Sequence, residues 1–153
     1  MCWQCDNPDQ SQDDYLDRLR EGISTHGWVV QYVDDERMPF AYTIGLHEQG
    51  LPEFLATGLD PRRASWLLNT FAKRALAGRR PVPGTQVWLP AATRVELVDV
   101  ARPDVHLLMA VAMEGPEIDA IQLVWADGRG RWPWAPGFND GVQPQAVLGE
   151  RAA

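Results

Sequence analysis

Cys2 and Cys5 are the only cysteines of the chain, and they open it in a Cys-x-x-Cys spacing. Two thiolates at that spacing supply half of a tetrahedral zinc site, and a closed structural site needs two further ligands. His26 is the candidate third ligand if the chain folds back over its first residues, with zinc or iron as the candidate ion. A redox pair is the second reading, because the spacing lowers a thiol pKa where the first cysteine opens a helix. Pro8 separates the pair from the first helical pattern, so that setting is missing. A third reading follows if Met1 is removed, since Cys2 would then carry both an amine and a thiol. Against these stands the plain alternative of packing or no role for the cysteines, and of His26 as a helix-end cation.

A second constellation lies in Tyr42-Thr43-Ile44-Gly45-Leu46-His47. Strand alternation puts Thr43 and Gly45 on one face, where a glycine admits a ligand or another backbone. Thr43, Gly45 and His47 are therefore candidate pocket residues, with a bulge or tight packing contact at Gly45 as the alternative. Glu53, between Pro52 and the next apolar run, reads as a solvated turn residue unless it faces that pocket. The third constellation is aromatic: of seven tryptophans, Trp125, Trp132 and Trp134 crowd together near Gln122 and Asp127. Indole faces can stack a planar or sugar-like ligand, with Gln122 and Asp127 adding polar selectivity. Equally, they can plug an irregular C-terminal segment onto the domain.

Several chemistries are disfavoured. No serine sits in a Gly-x-Ser-x-Gly elbow, and neither a phosphate-binding loop nor a Gly-x-Gly-x-x-Gly turn is present. His47-Glu48 is not a zincin start, because Leu51 stands where the second histidine would be. A net charge of −7 opposes long-range attraction to phosphate backbones, so a nucleic-acid partner is not expected. No apolar run approaches the roughly 20 residues of a membrane span, and a soluble, cytoplasmic protein is expected.

The elements that must position these groups follow from periodicity. Tyr15, Leu16, Leu19 and Ile23 fall at helical spacing behind a cap at Ser11. Val29 to Val33, Phe40 to Leu46 and Phe54 to Leu59 read as strands of an antiparallel meander. Asp60 and Pro61 then open the clearest helix, with Ala64, Leu67, Leu68, Phe71, Ala72 and Ala75 on one face. Its other side carries Arg62, Arg63, Lys73 and Arg74, read as a solvated face. Strands over Gln86 to Leu89 and Arg94 to Val100 flank a Pro90 turn, and a helix from Pro103 turns Val105, Leu108, Met109 and Ala112 inward. Ile118 to Trp125 is the last strand. The expected fold is α+β: one domain over residues 1–153, a mainly antiparallel sheet of five or six strands, and two or three helices. Residues 1–12 form an N-terminal Cys-x-x-Cys segment, and residues 128–153 an irregular segment rich in Trp, Pro and Gly.

Cys2-x-x-Cys5-Asp6, His26-Gly27-Trp28, Tyr42-Thr43-Ile44-Gly45-Leu46, Pro52-Glu53, Thr57-Gly58-Leu59, Gln122-Leu123-Val124-Trp125, Asp127 and Trp132-Pro133-Trp134 resemble the bacterial domain-of-unknown-function family 4262 across nearly the whole chain. The resemblance implies a small bacterial protein and brings no activity, cofactor or catalytic residue. Two functions remain. The preferred one is a binding or regulatory module with a metal or redox site at Cys2, Cys5 and His26, meeting a small molecule or a protein partner. The alternative is a small enzyme whose pocket lies between the Tyr42–His47 strand end and the Trp125–Trp134 segment, with His47 as general base and Asp127 or Glu53 orienting it. That arrangement requires His47 and Asp127 within about 8 Å of each other.

Overall fold

A computed structural model describes residues 11–142 and 144–152. Cys2 and Cys5 lie outside the described residues. Helix α1 (Gln12–His26) starts at Ser11, whose hydroxyl accepts from Asp14 N–H while the Asp14 carboxylate accepts from Ser11 N–H, a reciprocal capping box. Gly27, in the left-handed region at φ 93°, ends it. Strands β1 (Val29–Val33), β2 (Phe40–Ile44) and β3 (Glu53–Thr57) form the expected antiparallel meander. Asp60 then caps α2 (Pro61–Leu76) by accepting from Arg63 N–H, and all six residues of its apolar stripe are buried.

The second half supplies β4 (Gln86–Leu89), β5 (Thr93–Asp99), the single turn α3 (Pro103–His106), α4 (Leu108–Glu114) and β6 (Ala120–Trp125). The six strands make one sheet of order β1-β2-β3-β6-β5-β4, in which only the central β3–β6 pair is parallel. This is the mainly antiparallel α+β architecture that the periodicity implies. Every residue of β3 and β6 is buried, as expected for strands covered on both faces. On one face, Leu67, Leu68 and Phe71 of α2 pack on Phe54, Leu97 and Leu123. On the other, Leu19 of α1 with Leu107 and Ala110 of the α3–α4 region cover Tyr42, Ile44 and Leu55. Burying each large side chain contributes roughly 1.5–3 kcal/mol, so α2 is held chiefly by this stripe.

The expected inward face of the helix from Pro103 is corrected. Val105 is 50% and Leu108 63% exposed, whereas Leu107 and Ala110 are fully buried. The cause is a break at Leu107, whose φ −92° and ψ 62° are not helical, so one periodic pattern cannot be carried across both segments.

Candidate functional site

The two ends of the β3–β6 pair differ in chemistry. At the amino end, the β2–β3 ladder stops after Tyr42 pairs with Leu55, and the Glu53 carboxylate fills the opening. Its Oε1 accepts from Thr43 Oγ1 at 2.9 Å and Leu46 N–H at 3.2 Å; its Oε2 accepts from Gly45 N–H at 3.1 Å and His47 N–H at 3.0 Å. Three successive backbone N–H groups thus form a concave anion cradle around a side chain of the same chain. Thr43 Oγ1 also accepts from Phe54 N–H at 2.8 Å, replacing a ladder bond. Glu53 is fully buried, so its reading as a solvated turn residue is corrected.

Gly45 explains why the loop can wrap so closely. It adopts φ +120°, and a Cβ there would lie 2.8 Å from the carbonyl oxygen of Gly27. The His26-Gly27-Trp28 and Tyr42–His47 motifs therefore touch, and Trp28 Nε1–H goes on to donate to Asn69 Oδ1 on α2 at 2.9 Å. Helix α4 is tied across the same region at both ends. Tyr42 Oη accepts from Met109 N–H at 2.9 Å, and Glu114 Oε1 accepts from Gly45 N–H at 3.0 Å. Burial, and then the adjacent Glu53 carboxylate, push the Glu114 carboxyl up to about 9. Glu114 is accordingly protonated at neutral pH, and its Oε2 is buried without a hydrogen-bond partner among the described residues.

At the opposite end, the Trp-rich segment is fastened rather than open. Burial raises the Asp127 carboxyl, but the N–H groups of Asn139, Arg131 and Arg129 and the Arg131 guanidinium outweigh it and hold the pKa down at about 2. Gln122 donates to Thr57 Oγ1 and to the Ala146 carbonyl, and accepts from Leu148 N–H. Trp132 and Trp134 stack on each other at 5.5 Å, with Arg94 against Trp132 at 5.0 Å and Arg151 over Trp134 at 3.8 Å. Arg151 in turn forms a two-pronged ion pair with Glu96.

Beside this anchorage a cleft of about 870 Å³ opens at the carboxyl ends of β3 and β6, against the first turns of α2. Tyr32, Trp66 and Trp125 give it aromatic walls, Leu59 and Leu67 an apolar floor, and Arg62 and Arg63 line it on the α2 side. Trp125 Nε1–H donates to the Thr57 carbonyl at 2.9 Å, and Tyr32 Oη–H to the Leu59 carbonyl at 3.2 Å. Both side chains thereby direct their polar ends into protein and leave ring carbons for the cleft. The turn over residues 90–92 forms a further wall, with Ala91 and Ala92 held at φ 64° and 56°.

The profile of the family Domain of unknown function (DUF4262) matches residues 22–139, more than half of the chain. The chain belongs to the DUF4262 family. Comparison with curated proteins and with solved structures gives no match. The matched DUF4262 region contains the Glu53 cradle and every residue that lines the cleft.

The DUF4262 fold does not bring the sequence-derived site residues into one pocket. Thr43, Gly45 and His47 stand at the Glu53 end, beside Ala120. Asp127 lies seven residues beyond Ala120, just past the end of β6, and the strand alone spans about 16 Å at roughly 3.3 Å per residue, so His47 and Asp127 are not a catalytic pair. The enzyme pocket drawn between them is corrected on that ground. Gln122, Trp132 and Trp134 act in holding the C-terminal segment, and of the expected ligand contacts only Trp125 and Asp127 line the cleft. His26 is exposed in the last turn of α1. Among the described residues, no three His, Cys, Asp or Glu side chains are placed to hold a metal ion. No helix among them is long and apolar enough to cross a membrane.

The sequence reading missed Tyr32, Trp66 and Glu114. Trp66 carried a legible signal, an indole on the otherwise charged side of α2. Glu114 carried none, because it ends a short helix and meets Glu53 only through the tertiary fold.

Proposed function

We propose that this DUF4262 domain is a small-molecule-binding module and that the cleft at the carboxyl ends of β3 and β6 is its site. The observation that carries the reading is the cleft itself: about 870 Å³, aromatic-walled, and rimmed by Arg62 and Arg63. Its volume is within the range of ligand pockets, and crevices outside the carboxyl ends of parallel strands are a recurrent place for ligands. Binding is favoured over catalysis because the cleft's two carboxylates are engaged elsewhere. Asp60 caps α2, and Asp127 holds four donors. The Glu53–Glu114 pair is not a competing active site, since both Glu53 oxygens are filled by the protein's own donors.

Saturation-transfer NMR with a set of planar aromatic fragments tests the reading, comparing the wild type with Thr93→Trp, which places an indole in the cleft. Fragments that bind the wild type and are lost from Thr93→Trp are the expected result. Binding that Thr93→Trp leaves unchanged overturns the assignment to this cleft. A metal or redox role for Cys2 and Cys5, with His26, is a separate proposal supported by their spacing alone. Elemental analysis with thiol titration before and after a chelator decides it: near-stoichiometric zinc or iron with masked thiols supports a metal site, and two free thiols without metal remove it.

A further inference from the structure

We infer that the cleft selects a planar aromatic anion, with the ring between the aromatic walls and the negative group toward Arg62 and Arg63; this deepens the small-molecule reading and rests on it. The argument begins with what the walls can still offer. Trp125 and Tyr32 have committed their N–H and O–H groups to backbone carbonyls; Tyr32 is half-buried, and Trp125, 9% exposed and packed on Phe138, adds the ring edge left at the cleft. Trp66 is 45% exposed on α2, a large indole left at the cleft rather than in the core. Flat apolar faces of this kind favour a flat ligand, because offset stacking and edge contacts reward planarity beyond the area buried.

The charged groups decide the sign of the ligand. Asp60 accepts from Arg63 N–H as the helix cap, and Asp127 is neutralised by Arg131 and filled by three backbone N–H groups. Asp34 and Asp60 act on the Tyr32 side of the cleft, where they raise the Tyr32 hydroxyl pKa after burial does. Arg62 and Arg63 form no ion pair with any described residue. Asp60 stands next to Arg62 and Arg63, but its carboxylate is engaged as the cap of α2, so the two guanidinium groups are the unengaged charges of the lining and draw the ligand's negative group toward the start of α2. The net charge of −7 does not cancel this, because at physiological ionic strength charges beyond about 8 Å are screened. The α2 terminus is not itself the anion site, since Asp60 already occupies it. A guanidinium fork recognises carboxylate and phosphate through paired N–H donors, and either group fits the inference.

The test uses the full chain labelled with 15N and follows the Trp66 and Trp125 indole N–H signals. The probes are 1-naphthyl phosphate, 1-naphthol and inorganic phosphate. Naphthyl phosphate is expected to move both signals and to bind about tenfold more tightly than naphthol, with the advantage shrinking as salt is added. In Arg62→Gln/Arg63→Gln the two naphthyl probes should converge to within about twofold, and Arg62→Lys/Arg63→Lys should keep part of the difference. Equal binding of naphthol and naphthyl phosphate by the wild type overturns the anion preference and leaves the binding cleft standing. Saturation by inorganic phosphate as tightly as by naphthyl phosphate overturns the aromatic requirement. If no probe moves either indole signal, the inference and the small-molecule reading fall together. Thermal unfolding of each variant within a few degrees of the wild type shows that the site, not the fold, has been altered.

Discussion

The two ends of the β3–β6 pair both carry carboxylates and use them in opposite ways. At the Glu53 end a carboxylate, a hydroxyl and three backbone N–H groups satisfy one another, and a second carboxyl, from Glu114, closes the arrangement by accepting from Gly45 N–H. At the cleft end the carboxylates are satisfied by helix cap and C-terminal segment, and what remains is aromatic surface with two unengaged arginines. A cradle of N–H groups resembles a ligand site in outline, but here the chain supplies its own anion. Residue type alone therefore does not separate structure from function; the count of satisfied donors and acceptors does.

The largest expected effect comes from emptying the cradle. Glu53→Ala strands the Leu46 and His47 N–H groups and the Thr43 hydroxyl and leaves Gly45 N–H only the Glu114 carboxyl, and should cost about 3–5 kcal/mol, the range for removing one side of a buried charged network. Gly45→Ala should cost about 2–4 kcal/mol, because its Cβ meets the Gly27 backbone and its φ is positive. At the other end, Arg62→Gln, Arg63→Gln and Trp66→Ala should each stay within about 0.5 kcal/mol, as exposed side chains do. Urea unfolding of this series breaks the comparison if the costs at the two ends are alike.

Glu114 sharpens the comparison through pH. Its carboxyl titrates near 4.5 when exposed and near 9 in the folded domain. Between those values the folded state holds one more proton than the unfolded chain, so stability falls as pH rises and is fully present only below the lower value. The slope for one proton cannot exceed about 1.4 kcal/mol per pH unit. Glu48 and Glu53 face Glu114 and oppose its ionisation, while Arg20, paired with Asp17, stands at the nearby surface depression. Glu114→Gln keeps the side chain neutral and an acceptor for Gly45 N–H. Its urea midpoint should therefore change little between about pH 6 and pH 9, where the wild type declines; parallel pH profiles would show that Glu114 is not the titrating group.

These effects also mark what the sequence could disclose. Ser11, Asp60 with Pro61, and the stripe from Ala64 to Ala75 announce their elements through local chemistry, and all form as their spacing implies. The Tyr42–His47 motif is legible as a motif but not as a cradle. Its anion comes from the next strand, and a second carboxyl from a helix some sixty residues on. The Trp125–Trp134 cluster suggested a pocket because indoles suit one. Only the hydrogen bonds of Asp127 and Gln122 show that most of the cluster is anchorage. The cleft was illegible as a whole, since its walls come from β1, α2, the residue 90–92 turn and the chain after β6, which periodicity cannot bring together.

The smallest effect expected is a gain. Ala91 and Ala92 sit in the left-handed region, which costs a residue with a Cβ roughly 1–2 kcal/mol and a glycine very little. Ala92→Gly removes that strain but adds conformational freedom to the unfolded chain, worth about 0.4–1 kcal/mol in the other direction. A net stabilisation of about 0.5–1 kcal/mol should remain, read as a rise in the unfolding midpoint. Strain in a wall of the cleft, absent from the cradle end apart from its glycines, is consistent with a turn held in place for what it borders rather than for stability. If Ala92→Gly instead lowers the midpoint, the turn is not strained, and the open end of the sheet loses one of the features that distinguish it from the closed end.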